Sequence, residues 1–452
     1  MILPKIRVVC CVAKSHPCPH CGKHSRRVRR LQRRVRSLAY HQGAWLDIRY
    51  AEYRARCGCC KTFRSWPLGV PAKADYDELV RQAVLDHIIE DGLNVRRTRQ
   101  AMNRDFSLNL SEGFIYDCLR WRVKQLDLPG HRQMVIAKFS GTLCIDEIHL
   151  GRFTLLLATD PIADMPVAFA PVSRNDKKHM RRFLNNLKRW GLLPRVVVSD
   201  SSSLYPEVLA ELWPHAKHQL CVFHVLKESN DLIIGGVRRL ARAMQRRGNA
   251  GRKRQAGRPS KAQQAARAAA GPTLREKADF ILKHRFLLVK NTSDLDRQQW
   301  EDLARMFEYQ PELRTLWCFA CEVRGLYERE ARVQTLWQRR AALLRNEKYK
   351  AVPELVKAME MLEAGKYKKA VAFVYSEAAQ KVRTNNHVER ANRKFRFAEK
   401  SRYKWRRRQW VIRFVLLALD RWWRRAAKAS ARSAQAASPG PEQQPPASEA
   451  AG

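Results

Sequence analysis

The chain has 452 residues, and its 87 Lys and Arg against 43 Asp and Glu give a formal net charge of +44. Hydrophobic residues make up 45% of the sequence, so a chain of this length can form several domains with buried cores. So large a positive excess repels itself in a compact fold unless a polyanion binds, which predicts a nucleic-acid partner. The sequence contains no run of about 18 apolar residues, which argues against a membrane-spanning protein.

The first residues are not followed by a long apolar stretch, so we expect no secretory signal peptide. A cytoplasmic protein keeps its cysteines reduced. Clustered members of the twelve cysteines are therefore expected to bind metal rather than to form disulfides.

Two Cys-x-x-Cys pairs near the N-terminus comprise Cys18, Cys21, Cys57 and Cys60. Between the pairs, two strand-like segments at residues 28–38 and 44–54 are separated by a short turn. Four thiolates close a tetrahedral site, so residues 10–70 are predicted to form a zinc-ribbon-like module around a structural Zn²⁺. Cys59 is an alternative ligand to Cys60, and free cysteines are the alternative to a metal site.

The first strand-like segment and its approach are rich in arginine. We expect these guanidinium groups to contact DNA phosphates. The run comprises Arg26, Arg27, Arg29, Arg30, Arg33, Arg34 and Arg36.

Residues 75–128 show helical periodicity. Helices are predicted over residues 77–89 and 95–103, and a third from a Ser111 cap towards Leu126. Three short helices with a polar turn fit a helix-turn-helix-like DNA-binding domain, and a plain helical spacer is the alternative.

From residue 140 the pattern changes to α/β. It predicts a mixed sheet covered by helices. The predicted strands cover residues 142–150, 153–160, 165–171 and 195–200, with a further candidate at 218–225. The predicted helices cover residues 176–190 and 203–212.

The rest of the chain divides by composition. Residues 235–271 are basic and of low complexity, which predicts a flexible linker, and residues 273–375 are predicted to be all-helical. An apolar helix is expected over residues 411–423, and the Ala/Ser/Pro-rich tail, residues 426–452, is expected to be disordered.

An aromatic-basic run precedes the apolar helix. Interleaved aromatic and basic side chains favour nucleic-acid contact, with a solvated helix face as the alternative. The candidates are Arg402, Lys404, Trp405, Arg406 and Arg407.

Three carboxylates have surroundings that suit a metal ligand. Asp146 lies on a predicted strand, Asp200 ends a Val-rich strand, and Glu389 follows Asn385 and Asn386, which could cap a helix. Strand-end capping is the alternative for Asp200, and a solvated helical charge is the alternative for Glu389.

The neighbour of Asp146 complicates the choice of ligand. Asp146 and Glu147 alternate on the same strand and should point to opposite faces, so strand phase does not select between them. Oxygen ligands suit Mg²⁺, and a pair of such ions can support phosphoryl transfer.

Four motifs follow one another along the chain. They are Ile145-Asp146-Glu147, Val198-Ser199-Asp200, Cys221-Val222-Phe223-His224 and the stretch from Asn385 to Lys394 that contains Glu389. With these motifs the sequence resembles the DDE transposases of the ISL3 type. The order of cysteine pairs and short helices before these motifs is also similar to that family.

The resemblance implies an RNase H-like catalytic domain, residues 138–230 and 376–425, interrupted by residues 231–375. Asp146, Asp200 and Glu389 would be catalytic and would bind two Mg²⁺, or Mn²⁺. Accessory roles would fall to His224, Cys221, Asn385 and Asn392, and a core histidine is the alternative for His224. Cys221 stands where Asp is more usual in the family, so its metal role is open.

The implied activity is that of an insertion-sequence transposase. It would bind the terminal inverted repeats, cleave a strand and join it to target DNA, as a homodimer or higher oligomer near the bacterial nucleoid. One rival is a non-catalytic zinc-containing DNA-binding protein or repressor. Another is an RNase H-like nuclease that cuts DNA but never joins it.

Overall fold

The computed structural model describes residues 5–38, 43–57, 62–71, 73–249, 269, 271–401 and 407–436. The chain divides into two compact units. The first comprises Met1–His131, His149–Thr154 and Arg393–Gly452, and the second comprises Arg132–Ile148 and Leu155–Asn392. Within the described ranges, we find no helix with the length and apolar character needed to cross a membrane.

A four-stranded sheet forms the N-terminal part of the first unit. Its strands are β1 (Lys5–Cys10), β2 (Ser25–Ser37), β3 (Ala44–Ala55) and β4 (Phe63–Arg64). β3 pairs in parallel with β1 and antiparallel with both β2 and β4. The sheet packs on a small core of Val35, Leu46, Ile48, Tyr50 and Val70. Both strands predicted between the cysteine pairs are confirmed.

Four helices follow, which are α1 (Glu78–Ile89), α2 (Val95–Phe106), α3 (Glu112–Lys124) and α4 (Leu128–Lys138). The side chains of Asp77, Asn94 and Ser111 accept hydrogen bonds at the N-termini of the first three, which satisfies otherwise unpaired backbone groups. These caps explain why three helices were predictable. The fourth helix was missed because it begins with Leu-Pro-Gly, a sequence typical of a turn.

A five-stranded sheet lies at the centre of the second unit. Its strands are β5 (Thr142–Leu150), β6 (Phe153–Asp160), β7 (Met165–Val172), β8 (Val196–Ser199) and β9 (Lys217–Leu220). The order is β7-β6-β5-β8-β9, and β5, β8 and β9 are parallel. Two helices connect its later strands, α5 (Lys177–Arg189) and α6 (Pro206–Leu212). The predicted mixed sheet with interspersed helices is confirmed.

A long helix, α7 (Val222–Asn249), follows directly on β9. It corrects two predictions. The candidate strand at residues 218–225 ends at Leu220, and residues 235–249 are helical rather than flexible linker. The helix buries Ile233, Val237 and Leu240, and this apolar spacing stabilises a helix despite the basic residues between. Residues 250–268 and 270 of the expected linker lie outside the described residues.

The segment that follows is helical, as predicted. Its α-helices are α8 (Leu274–His284), α9 (Arg297–Tyr309), α10 (Leu313–Gly325), α11 (Val333–Arg345), α12 (Glu347–Lys350), α13 (Pro353–Glu360), α14 (Ala364–Ala370), α15 (Ala372–Tyr375) and α16 (Glu377–Gln380). Two 3₁₀ helices cover Arg285–Val289 and Thr292–Asp294.

Two further helices complete the described chain, α17 (Asn386–Ser401) and α18 (Arg408–Ala436). α18 contains the predicted apolar helix and continues to Ala436, into the tail that was expected to be disordered. Alanine has the highest helix propensity, which explains the extension through this Ala-rich stretch. Residues 437–452 lie outside the described residues.

Candidate active site

Three carboxylates meet where the middle of β5 lies beside the carboxyl end of its parallel neighbour β8. Cys144 of β5 pairs with Val198 of β8, so Asp146 and Asp200 each lie two residues further along their chains. Carboxylate oxygens of Asp146, Glu147 and Asp200 lie within 4.8 Å of one another. The middle of β5 and the end of β8 thus form an acidic cluster.

Glu147 differs from Asp146 in its hydrogen bonds. Asn175 Nδ2 donates to Glu147 Oε1 at 3.0 Å, and the buried Tyr205 hydroxyl donates to Glu147 Oε2. Asp146 accepts a side-chain bond at Oδ2 from Asn392 Nδ2 at 2.8 Å and a backbone bond from Glu147. Side chains of the protein therefore hold both oxygens of Glu147, whereas one side chain bonds to Asp146.

Burial and mutual repulsion disfavour the charged forms of this cluster. Burial, then the charges of Glu147 and Asp200, raise the pKa of Asp146 from 3.8 to about 7, although the bond from Asn392 acts in the opposite direction. Burial and the charge of Glu147 also raise the pKa of Asp200. A divalent cation that prefers oxygen ligands would relieve this repulsion, so the residues present fit Mg²⁺ or Mn²⁺.

The N-terminus of α17 is anchored on the second-unit sheet. Asn385, which is fully buried, donates from Nδ2 to the Ile145 carbonyl at 2.8 Å and from its backbone N–H to Cys221 Sγ at 3.1 Å. Its carbonyl accepts from the Glu389 N–H. Asn385 therefore precedes the helix as expected, but its side chain bonds to β5 instead of capping. Asn386 is the exposed first residue of the helix.

Glu389 lies in the first turn of α17 beside Cys221 and His224. One ligand atom from each of these three residues lies within 4.8 Å of the others, and Glu389 Oε1 is 3.6 Å from His224 Nδ1. Interaction with Cys221, with the charges of Glu389 and Asp200 adding to it, raises the pKa of His224. Glu389 thus belongs to a second group. Asn392, which donates to Asp146, lies one turn further along the same helix.

Residues 143–408 match the model of a transposase family, the DDE transposases of the ISL3 type. This range covers more than half of the chain. The chain belongs to this family. The match confirms the resemblance carried by the motifs, and it includes both side-chain groups described above.

No curated protein matches this transposase. A solved structure, the Drosophila P element transposase strand transfer complex, is similar at 14% sequence identity, and the match covers 71% of this chain and 91% of that chain. Its TM-score is 0.25, and a likeness that remote carries no argument.

The N-terminal cysteines of the transposase lie before the matched range. Sulfur atoms of Cys18, Cys21 and Cys57 lie within 4.8 Å of one another. Gly22 has a φ of +72° and donates its N–H to the Cys18 carbonyl, so the first pair sits on a tight turn that favours glycine. Cys60, and its alternative Cys59, lie outside the described residues.

The candidate DNA-binding residues lie in two parts of the chain, on β2 and before α18. On β2, Arg26, Arg29 and Arg30 are exposed and Arg27 is half-buried. Arg407 is exposed before α18. The remaining candidates of the aromatic-basic run, Arg402, Lys404, Trp405 and Arg406, lie outside the described residues.

Sequence reasoning missed three residues that support the site. Asn175 and Tyr205 hold Glu147, and His387 contacts Thr159 Oγ1 at 2.9 Å and Asp164 Oδ1 at 2.8 Å through its two ring nitrogens. His387 lies inside the Asn-Asn-His-x-Glu motif, which was a usable signal. Asn175 and Tyr205 stand in no motif, so no pattern pointed to them.

Proposed function

We propose that this chain is a transposase that binds the terminal inverted repeats of an insertion sequence and carries out metal-dependent strand cleavage and strand transfer. The observation that carries the proposal is the acidic cluster of Asp146, Glu147 and Asp200 inside the region that matches the transposase family. The formal net charge of +44 supports a polyanionic substrate.

We infer that the second-unit sheet is the RNase H-like core of the catalytic domain. The inference is supported by the order β7-β6-β5-β8-β9, with an acidic residue on the central strand β5 and another after β8. The helices from α7 to α16 then form an insertion before α17, which carries the third candidate carboxylate.

We assign catalytic and metal-binding roles to Asp146, Asp200 and Glu389. Asp146 is preferred to Glu147 because Asn175 and Tyr205 hold both Glu147 oxygens. Glu147 then acts as a positioning residue that fixes the middle of β5 beside β8. Glu389 is supported by its place on α17, the helix that also brings Asn392 to Asp146.

The chemistry requires two attacks by an oxygen on a phosphodiester. Water breaks the P–O3′ bond at the element end and leaves a 3′-OH, which then attacks a target phosphodiester and displaces another 3′ oxygen. Two Mg²⁺, when bound, would activate the attacking oxygen and stabilise the leaving oxygen. The three carboxylates would hold these ions, and His224 and Asn385 would keep Glu389 and β5 in place.

Two further parts of the chain are proposed to bind DNA. The cysteine group at Cys18, Cys21 and Cys57, completed by Cys60, would hold a structural Zn²⁺ and position the arginines of β2 against phosphates. The helices α1 to α3 would form a helix-turn-helix-like domain. Arg407 and its neighbours before α18 would add further phosphate contacts. We expect the protein to work as a homodimer or higher oligomer at the bacterial nucleoid, because two element ends must be brought together.

Glu389→Gln tests the assignment. The substrate carries the inverted repeats found in the DNA that flanks the reading frame, and the readouts are the liberated 3′-OH strand and its joining to a target plasmid in Mg²⁺. The substitution removes a negative ligand and should lower both products about 100-fold or more. Glu377→Gln, the same change at an exposed position of α16, should leave both products unchanged.

The same reaction separates the rival functions. A repressor would bind the repeats and yield neither product from the wild-type chain, and a nuclease would yield cleavage without joining. If cleavage survived Glu389→Gln, the assignment of this residue would be wrong.

A further inference from the structure

Cys221, His224 and Glu389 form a donor set unlike the acidic cluster. It combines a sulfur, an imidazole nitrogen and a carboxylate oxygen within 4.8 Å of one another. Mg²⁺ takes oxygen ligands, whereas sulfur and imidazole suit Zn²⁺. The donor types therefore favour a different ion from the one proposed for Asp146 and Asp200.

The local chain geometry brings these donors together. Cys221 immediately precedes α7, and His224 lies three residues later in its first turn, a spacing that places both on one face of a helix. Glu389 reaches them from the first turn of α17. Three donors from two helix N-termini thus converge without any rearrangement of the backbone.

The distance between the imidazole and carboxylate atoms matches a tetrahedral ion. Zinc binds nitrogen and oxygen at about 2.0–2.2 Å, so two such ligands lie about 3.3–3.5 Å apart in a tetrahedral site. His224 Nδ1 and Glu389 Oε1 are 3.6 Å apart. Both atoms are buried, and neither has a hydrogen-bond partner among the described residues. The two atoms lie at ion-pair distance, and a metal ion bound between them would take the place of the imidazole proton.

A second contact orients the sulfur. The Asn385 N–H donates to Cys221 Sγ at 3.1 Å, as outer hydrogen bonds commonly orient metal ligands. Cys221 is fully buried, and its thiol would lose its proton to solvent when a metal binds. The fourth tetrahedral position would be left to water.

We propose that Cys221, His224 and Glu389 bind Zn²⁺ and that this ion holds Glu389 away from the Mg²⁺ chemistry, so that zinc inhibits the enzyme. The binding site is independent of the activity, and only its inhibitory effect rests on the proposed function. Low zinc would then permit transposition and raised zinc would suppress it. A chain with Asp in place of Cys221 would be less sensitive, because a carboxylate replaces the thiolate that favours zinc over Mg²⁺.

Zinc content tests the binding site directly. The full-length protein is equilibrated with zinc in a buffer of fixed free-metal concentration, and bound zinc per chain is measured by native mass spectrometry. Cys221→Ser should hold one zinc fewer than the wild type, and the affinity for that ion should fall about tenfold or more. Cys318→Ser, a half-buried cysteine of α10 in the same unit, should match the wild type.

Two further variants keep the result interpretable. His224→Asn should lose the same ion. Agreement between two different substitutions would show that the loss does not come from misfolding of one variant. Cys18→Ser with Cys21→Ser should lose the other zinc and retain this one, because it removes only the N-terminal module. Equal zinc content in the wild type, Cys221→Ser and His224→Asn would overturn the site.

Inhibition is measured against each protein's own activity without zinc. Micromolar zinc should suppress Mg²⁺-dependent cleavage by the wild type and by Cys318→Ser, and Cys221→Ser should need about tenfold more. Equal zinc sensitivity of the three proteins would overturn the inhibitory role. A chain that bound the ion but cleaved no DNA would instead count against the proposed function, since zinc content is read without activity.

Discussion

At the scale of single residues, Asp146 shows what it costs to bury a charged carboxylate in the acidic cluster. Its pKa is raised to about 7, mainly by burial. Asp146 therefore keeps its proton to a higher pH in the folded chain than in the unfolded chain, where its pKa is near 3.8. Without a divalent cation, stability should be fully present below pH 4 and should fall as the pH rises towards 7. Burial of this carboxylate therefore lowers the stability of the folded chain at neutral pH.

Asp146→Asn removes this titration while it keeps the shape of the side chain. At pH 8, in the absence of divalent cations, we expect the variant to melt at a higher temperature than the wild type, by roughly 2–4 °C for each kcal/mol recovered. Near pH 4 the two proteins should melt together. Differential scanning calorimetry at both pH values measures the effect.

The control is Asp231→Asn, the same change on the exposed side of α7, which should leave the melting temperature unchanged at both pH values. Added Mg²⁺ should raise the melting temperature of the wild type and have a smaller effect on Asp146→Asn. A variant that is no more stable than the wild type at pH 8 would contradict the account of a strained carboxylate.

The sequence alone does not decide whether Asp146 or Glu147 is the candidate metal ligand. Strand alternation places the two side chains on opposite sides, yet both reach the cluster with Asp200. What distinguishes them is the pair of donors to Glu147, Asn175 and Tyr205, which follow it by 28 and 58 residues. Such partners depend on tertiary packing, and no local pattern in a single sequence encodes them.

At the scale of elements, the anchoring of α17 decides where Glu389 lies. Asn385 Nδ2 donates to the Ile145 carbonyl, and its loss would remove this buried hydrogen bond. Asn385→Ala should therefore lower the free energy of unfolding of the second unit by about 1–2 kcal/mol. The expected loss of stability is modest because the substitution also removes Asn385 Oδ1. That oxygen is buried and has no partner among the described atoms, so its removal offsets part of the lost bond.

Chemical denaturation followed by tryptophan fluorescence measures this loss. Asn386→Ala is the matched control, since its side chain is exposed at the first position of α17, and it should change stability by less than about 0.5 kcal/mol. If both variants unfolded at the same denaturant concentration, the bond to β5 would not hold the helix.

Elements with strong local signals were predictable, and those without them were not. Asp77, Asn94 and Ser111 cap their helices as their residue types favour, and the Val-rich run before Asp200 forms β8. The basic stretch at residues 235–249 was misread because its composition suggested a linker, whereas its buried apolar positions are spaced for a helix. The spacing of apolar residues predicts this helix better than the local charge does, because packing of an apolar face outweighs the repulsion of solvated arginines.

At the scale of the whole molecule, the excess of positive charge predicted a nucleic-acid partner but not where it binds. Charge is a sum over the sequence, while binding depends on which guanidinium groups remain unpaired in the fold. On β2, Arg30 and Arg34 lie on the same side of the strand, are exposed, and have no ion pair among the described residues. Arg33, on the other side, pairs with Asp75 at 3.0 Å.

This difference predicts which arginines contact phosphate. If Arg30 and Arg34 each neutralise one phosphate, Arg30→Ala with Arg34→Ala should reduce the steepness of log affinity against log salt by about 2. Affinity should also fall by a similar factor on specific and non-specific duplexes, because phosphates carry no sequence information directly. Fluorescence anisotropy of labelled duplexes across a salt series gives both quantities.

A control with the same loss of charge separates local contact from overall attraction. Arg33→Ala with Arg297→Ala also removes two positive charges, but each of these arginines is already paired with an acidic side chain. Its salt dependence should stay close to that of the wild type, because a change in net charge from +44 to +42 is small. Equal slopes for the two double variants would mean that DNA responds to total charge and that the exposed face of β2 is not a binding surface.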